Sequence, residues 1–129
     1  MSLEPDFLSV EDVLELHQIQ LERFGGGAGI RDRGALESAV AQPQASFGGT
    51  FVHPDLFSMA AAYAFDIAQN QPFVDGNKRA GLAAALVFLD LNGRSVADPE
   101  GRLYQALLDI ADRKLDKAGL AALLAELAG

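Results

Sequence analysis

Two stretches of this chain, Pro54 to about Asn70 and Asn77 to Leu91, carry apolar residues around so much of a helical circumference that both must be covered on nearly every side. In the first, Leu56, Ala60, Tyr63 and Ile67 form one stripe, and Phe57, Ala61, Ala64 and Phe65 adjoin it. In the second the apolar residues occupy most of the turn, so that helix is expected at the centre of the domain. Neither crosses a membrane: the uncharged run Ala80 to Leu89 stops at Asp90, far short of the roughly 18 residues a span needs. A chain of 129 residues must therefore supply a shell around two buried helices, which restricts it to one helical domain.

The remaining segments read as that shell. Ser9 can cap a first helix with Glu11 and Asp12 in its first turn, and Val13, Leu16, Ile19 or Gln20, and Phe24 recur at helical spacing until Gly25-Gly26-Gly27 ends it. Arg31-Asp32-Arg33 leads into a short helix with Leu36, Ala39 and Val40 on one side, closed by Pro43. Phe47 to Val52 mixes paired glycines with β-prone residues and reads as a short hairpin or extended flap. Pro54 suits the first turn of the long helix, and Asn92-Gly93 stops the one after it. Asp98-Pro99 starts another through about Arg113, and Leu115 to Leu127 closes the chain with Leu120, Leu123, Leu124 and Leu127. The expected fold is all-α, a compact helical bundle over residues 1–129 with at most one small hairpin.

Charge and composition narrow the function. Ten Lys and Arg stand against 18 Asp and Glu, giving a formal charge of −8 at pH 7. That excess of acid argues against gripping nucleic acid over a broad surface, which needs surplus cations to displace counterions. The absence of Cys removes disulfides, thiolate zinc sites and Cys nucleophiles together, and makes a reducing cytoplasm the simpler expectation. Met1 to Phe7 carries Glu4 and Asp6 and no basic region before an apolar one, so it does not read as a signal peptide.

The polar junction between the two buried helices, Gln71-Pro72-Phe73-Val74-Asp75-Gly76-Asn77-Lys78-Arg79-Ala80-Gly81, gathers a carboxylate, an amide and two cations. A helix start offers unpaired N–H groups and a positive dipole end, and Gly76 lets the chain turn closely enough to aim them at an anion. Lys78 and Arg79 add full charge. Asp75 suits Mg²⁺ riding on a polyphosphate, so a nucleoside triphosphate fits the set. Phe73 is expected to point inward and pin the loop. The local chemistry equally accommodates a plainer reading, in which Asp75 caps the helix, Asn77 satisfies a turn and the cations are solvated. Gly25 to Gly29 reads as a helix connector rather than a phosphate loop, because the Lys-Ser/Thr of such a loop is missing and no strand precedes it. Arg31, Arg33, Asp66 and Gln69 read as surface residues, and His17 and His53 as structural or surface ones.

The junction resembles the motif of the Fic/Doc family, whose Fic branch reads His-Pro-Phe-x-x-Gly-Asn-Gly-Arg and whose Doc, or death-on-curing, branch reads His-x-Phe-x-Asp-x-Asn-Lys-Arg. Lys78 selects the Doc branch. The likeness extends to Gly29 through Gly34 and to His53-Pro54-Asp55-Leu56. It implies the Fic/Doc helical fold and a small bacterial toxin of a toxin–antitoxin system. Such a toxin uses Mg-ATP as a protein kinase on a hydroxyl of a translation factor, elongation factor Tu being the known type of target. Carried over by position, Asp75 holds Mg²⁺, Gly76, Asn77, Lys78 and Arg79 bind the nucleotide's phosphates, with Arg79 also catalytic. Phe51, Val52 and His53 belong to a flap that docks the target's backbone by strand addition. The implied partners are a Phd-like antitoxin, with a tail that folds on binding, and a protein of the translation machinery.

One position departs from the pattern. The family's His, the general base that takes the proton from the attacking hydroxyl, falls on Gln71. An amide can orient a hydroxyl and cannot deprotonate it. Neither His17 nor His53 has the spacing to replace it, although the flap carrying His53 is expected near the cleft. Two further readings therefore accompany a kinase weakened or silenced at Gln71: a non-catalytic module that binds nucleotide or antitoxin, and a Fic-type AMP transferase, disfavoured because Lys78 crowds the place that glycine leaves open.

Overall fold

The two helices that must be buried cross at Gly81. A Cβ built there would stand 2.8 Å from the carbonyl oxygen of Ala64, so only glycine admits this approach. The computed structural model describes residues 4–129; Met1–Leu3, part of the segment read above as lacking leader character, lie outside the described residues.

The described residues form six α-helices: α1 (Val10–Phe24), α2 (Arg33–Ala41), the crossing pair α3 (Leu56–Asn70) and α4 (Asn77–Leu91), α5 (Arg102–Ala111) and α6 (Lys117–Leu127). Two short strands, β1 (Ser46–Phe47) and β2 (Thr50–Phe51), form the hairpin. The all-α expectation with a single small hairpin holds. The centre does not lie where the sequence placed it: α3, rather than α4, is the hub, packed against α2, α4, α5 and α6, while α4 packs on α1, α3 and α5. Small side chains explain this. Ala60, Ala61, Ala62 and Ala64 let neighbours close on α3 from every side, whereas Lys78, Arg79, Leu82 and Leu86 keep part of α4 half-buried.

The helix starts follow their caps. Ser9 and Asp12 exchange bonds in a capping box on α1, and Asp55 and Ser58 do the same on α3. Asp55 therefore opens α3, and Pro54 stands just ahead of the cap instead of in the first turn. Asp98 caps as expected, yet it reaches across Pro99–Gly101 to accept from the amides of Arg102 and Leu103 at 2.8 and 2.9 Å, so α5 begins later than the sequence suggested. Asp116 caps α6 through Gly119, leaving Leu115 outside it.

The hairpin pairs Ser46 with Phe51 and Phe47 with Thr50. Gly48 and Gly49 both take positive φ, 60° and 83°, the geometry a two-residue hairpin turn requires. Its base is anchored: Phe51 meets Phe7 edge to face, and Phe7 stacks on Phe88 of the core. The tip is free, with Phe47 86% exposed. Beneath it, the Tyr63 hydroxyl accepts from the Leu8 amide at 2.8 Å, and burial pushes its pKa up to about 12. Asp66, read as a surface residue, instead pairs with Lys117 at 3.0 Å and ties α3 to α6.

Candidate functional site

Helix α3 ends at Gln71, which adopts the left-handed conformation (φ 49°, ψ 56°) and turns the chain into the junction. Pro72 and Phe73 are buried, Val74 and Asp75 exposed, and Gly76 (φ 76°) makes the last turn into α4. Asn77 closes the loop on itself: its Oδ1 accepts from the Phe73 amide at 2.9 Å and its Nδ2 donates to the Phe73 carbonyl at 3.1 Å. Phe73 points inward, as expected.

Helix α1 holds the loop from below. The His17 ring stacks on Phe73 with centroids 3.7 Å apart and planes 5° from parallel. His17 Nε2 lies 2.8 Å from the Asp75 carbonyl oxygen, and because a carbonyl only accepts, that nitrogen carries the proton. The structural role expected for His17 is therefore found, at the site itself.

A second clamp comes from residues 29–32. Ile30 bridges Phe73, the Val74 amide donates to the Gly29 carbonyl, and the Arg31 and Asp32 amides donate to the Pro72 carbonyl. Arg31 is more than surface. Its Nε donates to the Gln71 carbonyl at 2.6 Å and its Nη2 to the Asn70 carbonyl at 2.8 Å, satisfying the end of α3.

The loop and helix start face a cleft of about 510 Å³. Gln71, Asp75, Gly76, Asn77, Lys78 and Arg79 all line it, so the structure brings together the six motif residues singled out in the sequence. Among the described residues no side chain caps α4, so its first amides, which have no intrahelical partners, also lack a capping acceptor. Among the described residues neither Lys78 nor Arg79 forms an ion pair. The Arg79 guanidinium instead lies over the Phe24 ring at 3.8 Å and the Tyr104 ring at 4.6 Å. Asp75 Oδ2 accepts from the Gly27 amide at 3.1 Å. Two uncancelled cations, open helix amides and one carboxylate thus share one cleft, the kinds of group that an anion and its counter-cation would each call for.

The flap residues are elsewhere. Phe51, Val52 and His53 do not line this cleft. Among the described residues His53 Nε2 is buried without a hydrogen-bond partner, and burial, with the positive charge of Lys117, holds its pKa below the ordinary value.

Sequence reasoning missed the cleft's opposite wall, made by Phe24, Gly25, Gly26 and Tyr104. A signal for part of it existed. Val13, His17 and Phe24 share one face of α1, four and then seven residues apart, and that face meets the junction. Gly26 and Gly27, within the stretch read as a connector, are also held close: a Cβ on Gly26 would meet Leu21 at 3.2 Å, and one on Gly27 would meet Val74 at 3.3 Å. Tyr104 offered no local signal, because only packing of α5 brings it there.

Comparison with known proteins assigns the chain to a family. The Fic/DOC family model matches residues 7–89, and the chain belongs to that family, in its Doc branch. It is 40% identical over 122 residues to Toxin Doc of Mycolicibacterium smegmatis, covering 93% of this chain and 92% of that protein. It is 36% identical over 91 residues to Protein kinase doc of Escherichia phage P1, covering 70% and 71%. Among the described residues no helix is long and apolar enough to cross a membrane.

Proposed function

We propose that this chain is a cytoplasmic Doc-type toxin, held in check by a Phd-like antitoxin. Its ancestral reaction moves the γ-phosphoryl group of ATP to a hydroxyl of a translation factor of the elongation factor Tu type, releasing ADP and a proton. The observation that carries this reading is the pair of unneutralised cations, Lys78 and Arg79, beside uncapped helix amides in one cleft. Its similarity to a toxin and to a protein kinase supports the same reading.

The residues divide the work. Lys78, Arg79 and the first amides of α4 bind the phosphates, and Gly76 and Asn77 keep that helix start in place. Asp75 fits Mg²⁺ that arrives on a polyphosphate. Its carboxylate faces the cleft, no cluster of three candidate ligands surrounds it among the described residues, and Mg²⁺ takes most of its shell from phosphate and water. When bound, the metal neutralises charge on the phosphates. Gln71 orients the attacking hydroxyl and leaves its proton to solvent or phosphate. The missing base costs about 10² to 10⁴ in rate, but phosphoryl transfer relies chiefly on positioning and charge, so a slow reaction survives. The hairpin, with Phe47 and Val52 86% and 57% exposed, docks the target backbone along its free edge.

The test is Gln71→His. Growth arrest and ATP-dependent modification of a translation factor, about 10² to 10⁴ faster than the parent, are expected; an inert, folded variant would overturn the kinase reading. The mass gained by the target distinguishes phosphate from the AMP of a Fic-type transferase, which Lys78 disfavours. A second reading, a non-catalytic module that binds nucleotide or antitoxin, is favoured by the cleft's lack of any histidine lining. Calorimetry with Mg-ATP on the parent chain, with Asp75→Ala as control, tests the nucleotide arm.

A further inference from the structure

The two rings on Arg79 come from opposite ends of the chain. Phe24 ends α1, and Tyr104 stands in the first turn of α5, beyond the stretch that the family model matches. Phe24 is 54% exposed, so its ring remains accessible at the surface. Its neighbour across the cleft is the guanidinium itself, 3.8 Å from the ring centroid.

How an arginine is held decides what it can bind. A carboxylate partner would fix the guanidinium equally well but would cancel its charge towards a phosphate. Aromatic faces attract a cation through their quadrupole and carry no net charge, so they fix the group and leave its charge whole. We propose that Phe24 and Tyr104 are positioning residues that hold Arg79 in the cleft as an unneutralised phosphate contact. The proposal rests on the reading of the cleft as a nucleotide site, and it adds two residues outside the motif.

Calorimetric titration of the full chain with Mg-ATP, and separately with inorganic tripolyphosphate, tests it. Tyr104→Leu and Phe24→Leu are each expected to weaken both ligands about three- to tenfold, the range of a cation–π contact. Tyr104→Phe, which keeps the ring, is expected to recover the loss. The decisive measurement is a double-mutant cycle: in an Arg79→Ala background the two leucine substitutions should change affinity no further. Equal losses with and without Arg79, or no loss in either variant, would overturn the clamp while leaving the nucleotide site standing. A parent chain that binds neither ligand would remove the nucleotide reading and the clamp with it. Circular dichroism checks folding, and the exposed position of Phe24 keeps one arm usable if Tyr104→Leu unfolds.

Discussion

The motif loop and the hairpin are both short and exposed at the surface, yet they are built in opposite ways. From Gln71 to Arg79 the loop is tied at successive residues, by Arg31 to the Gln71 carbonyl, by residues 29–32 to Pro72 and Val74, by Asn77 and His17 to Phe73, by Gly27 and His17 to Asp75, and by two rings to Arg79. The hairpin is tied at its base through Phe51 and Phe7, and its tip meets solvent. Charge-handling chemistry requires groups fixed before the ligand arrives, whereas docking a flexible partner tolerates an edge that adapts. The comparison separates a site that is preorganised from a surface that is available.

The contrast breaks most visibly at His17. His17→Ala removes a buried stack and the bond to the Asp75 carbonyl together, and is expected to cost about 3 kcal/mol, read as a fall in the denaturant midpoint. His17→Phe keeps the ring without the bond and should cost about 1 kcal/mol. Arg31→Ala comes next: two charge-assisted bonds at an exposed position are worth about 1 kcal/mol together. Faster hydrogen exchange confined to residues 70–74 would locate the effect.

On the other side, Phe47→Ser should leave stability within about 0.5 kcal/mol while lowering modification of a protein target in the Gln71→His background. A large loss of stability there would show that the hairpin tip is structural after all. The smallest effect is a pH dependence at His53. Its folded pKa lies below its unfolded value, so at acid pH the unfolded chain binds a proton that the folded one resists. Stability should therefore fall as pH drops through the ordinary histidine range near 6.5, and His53→Gln should flatten that slope in thermal unfolding curves.

Much of this was legible in the sequence, for reasons that differ by region. Helices announce themselves by period and cap, as Ser9 does for α1, and the paired glycines 48 and 49 encode the hairpin turn, whereas the caps at Asp55 and Asp116 shifted helix starts that the sequence placed at Pro54 and Leu115. The motif residues converge because they are neighbours in the chain. What stayed hidden depends on distance in sequence: the rank of α3 over α4 comes from how closely other helices approach its alanines, and Tyr104 reaches the cleft only through the packing of α5. Asp98 shows the remaining kind of error, a cap recognised correctly whose helix starts three residues further on because the carboxylate reaches across a turn.

The contact between Gly81 and the Ala64 carbonyl limits how this protein can vary. Every other amino acid begins with the same Cβ, so position 81 excludes small and large side chains alike. In a saturation scan the penalty there should jump at the first carbon added, with size making little further distinction, so the tolerated alphabet at this residue measures the distance between two helix axes.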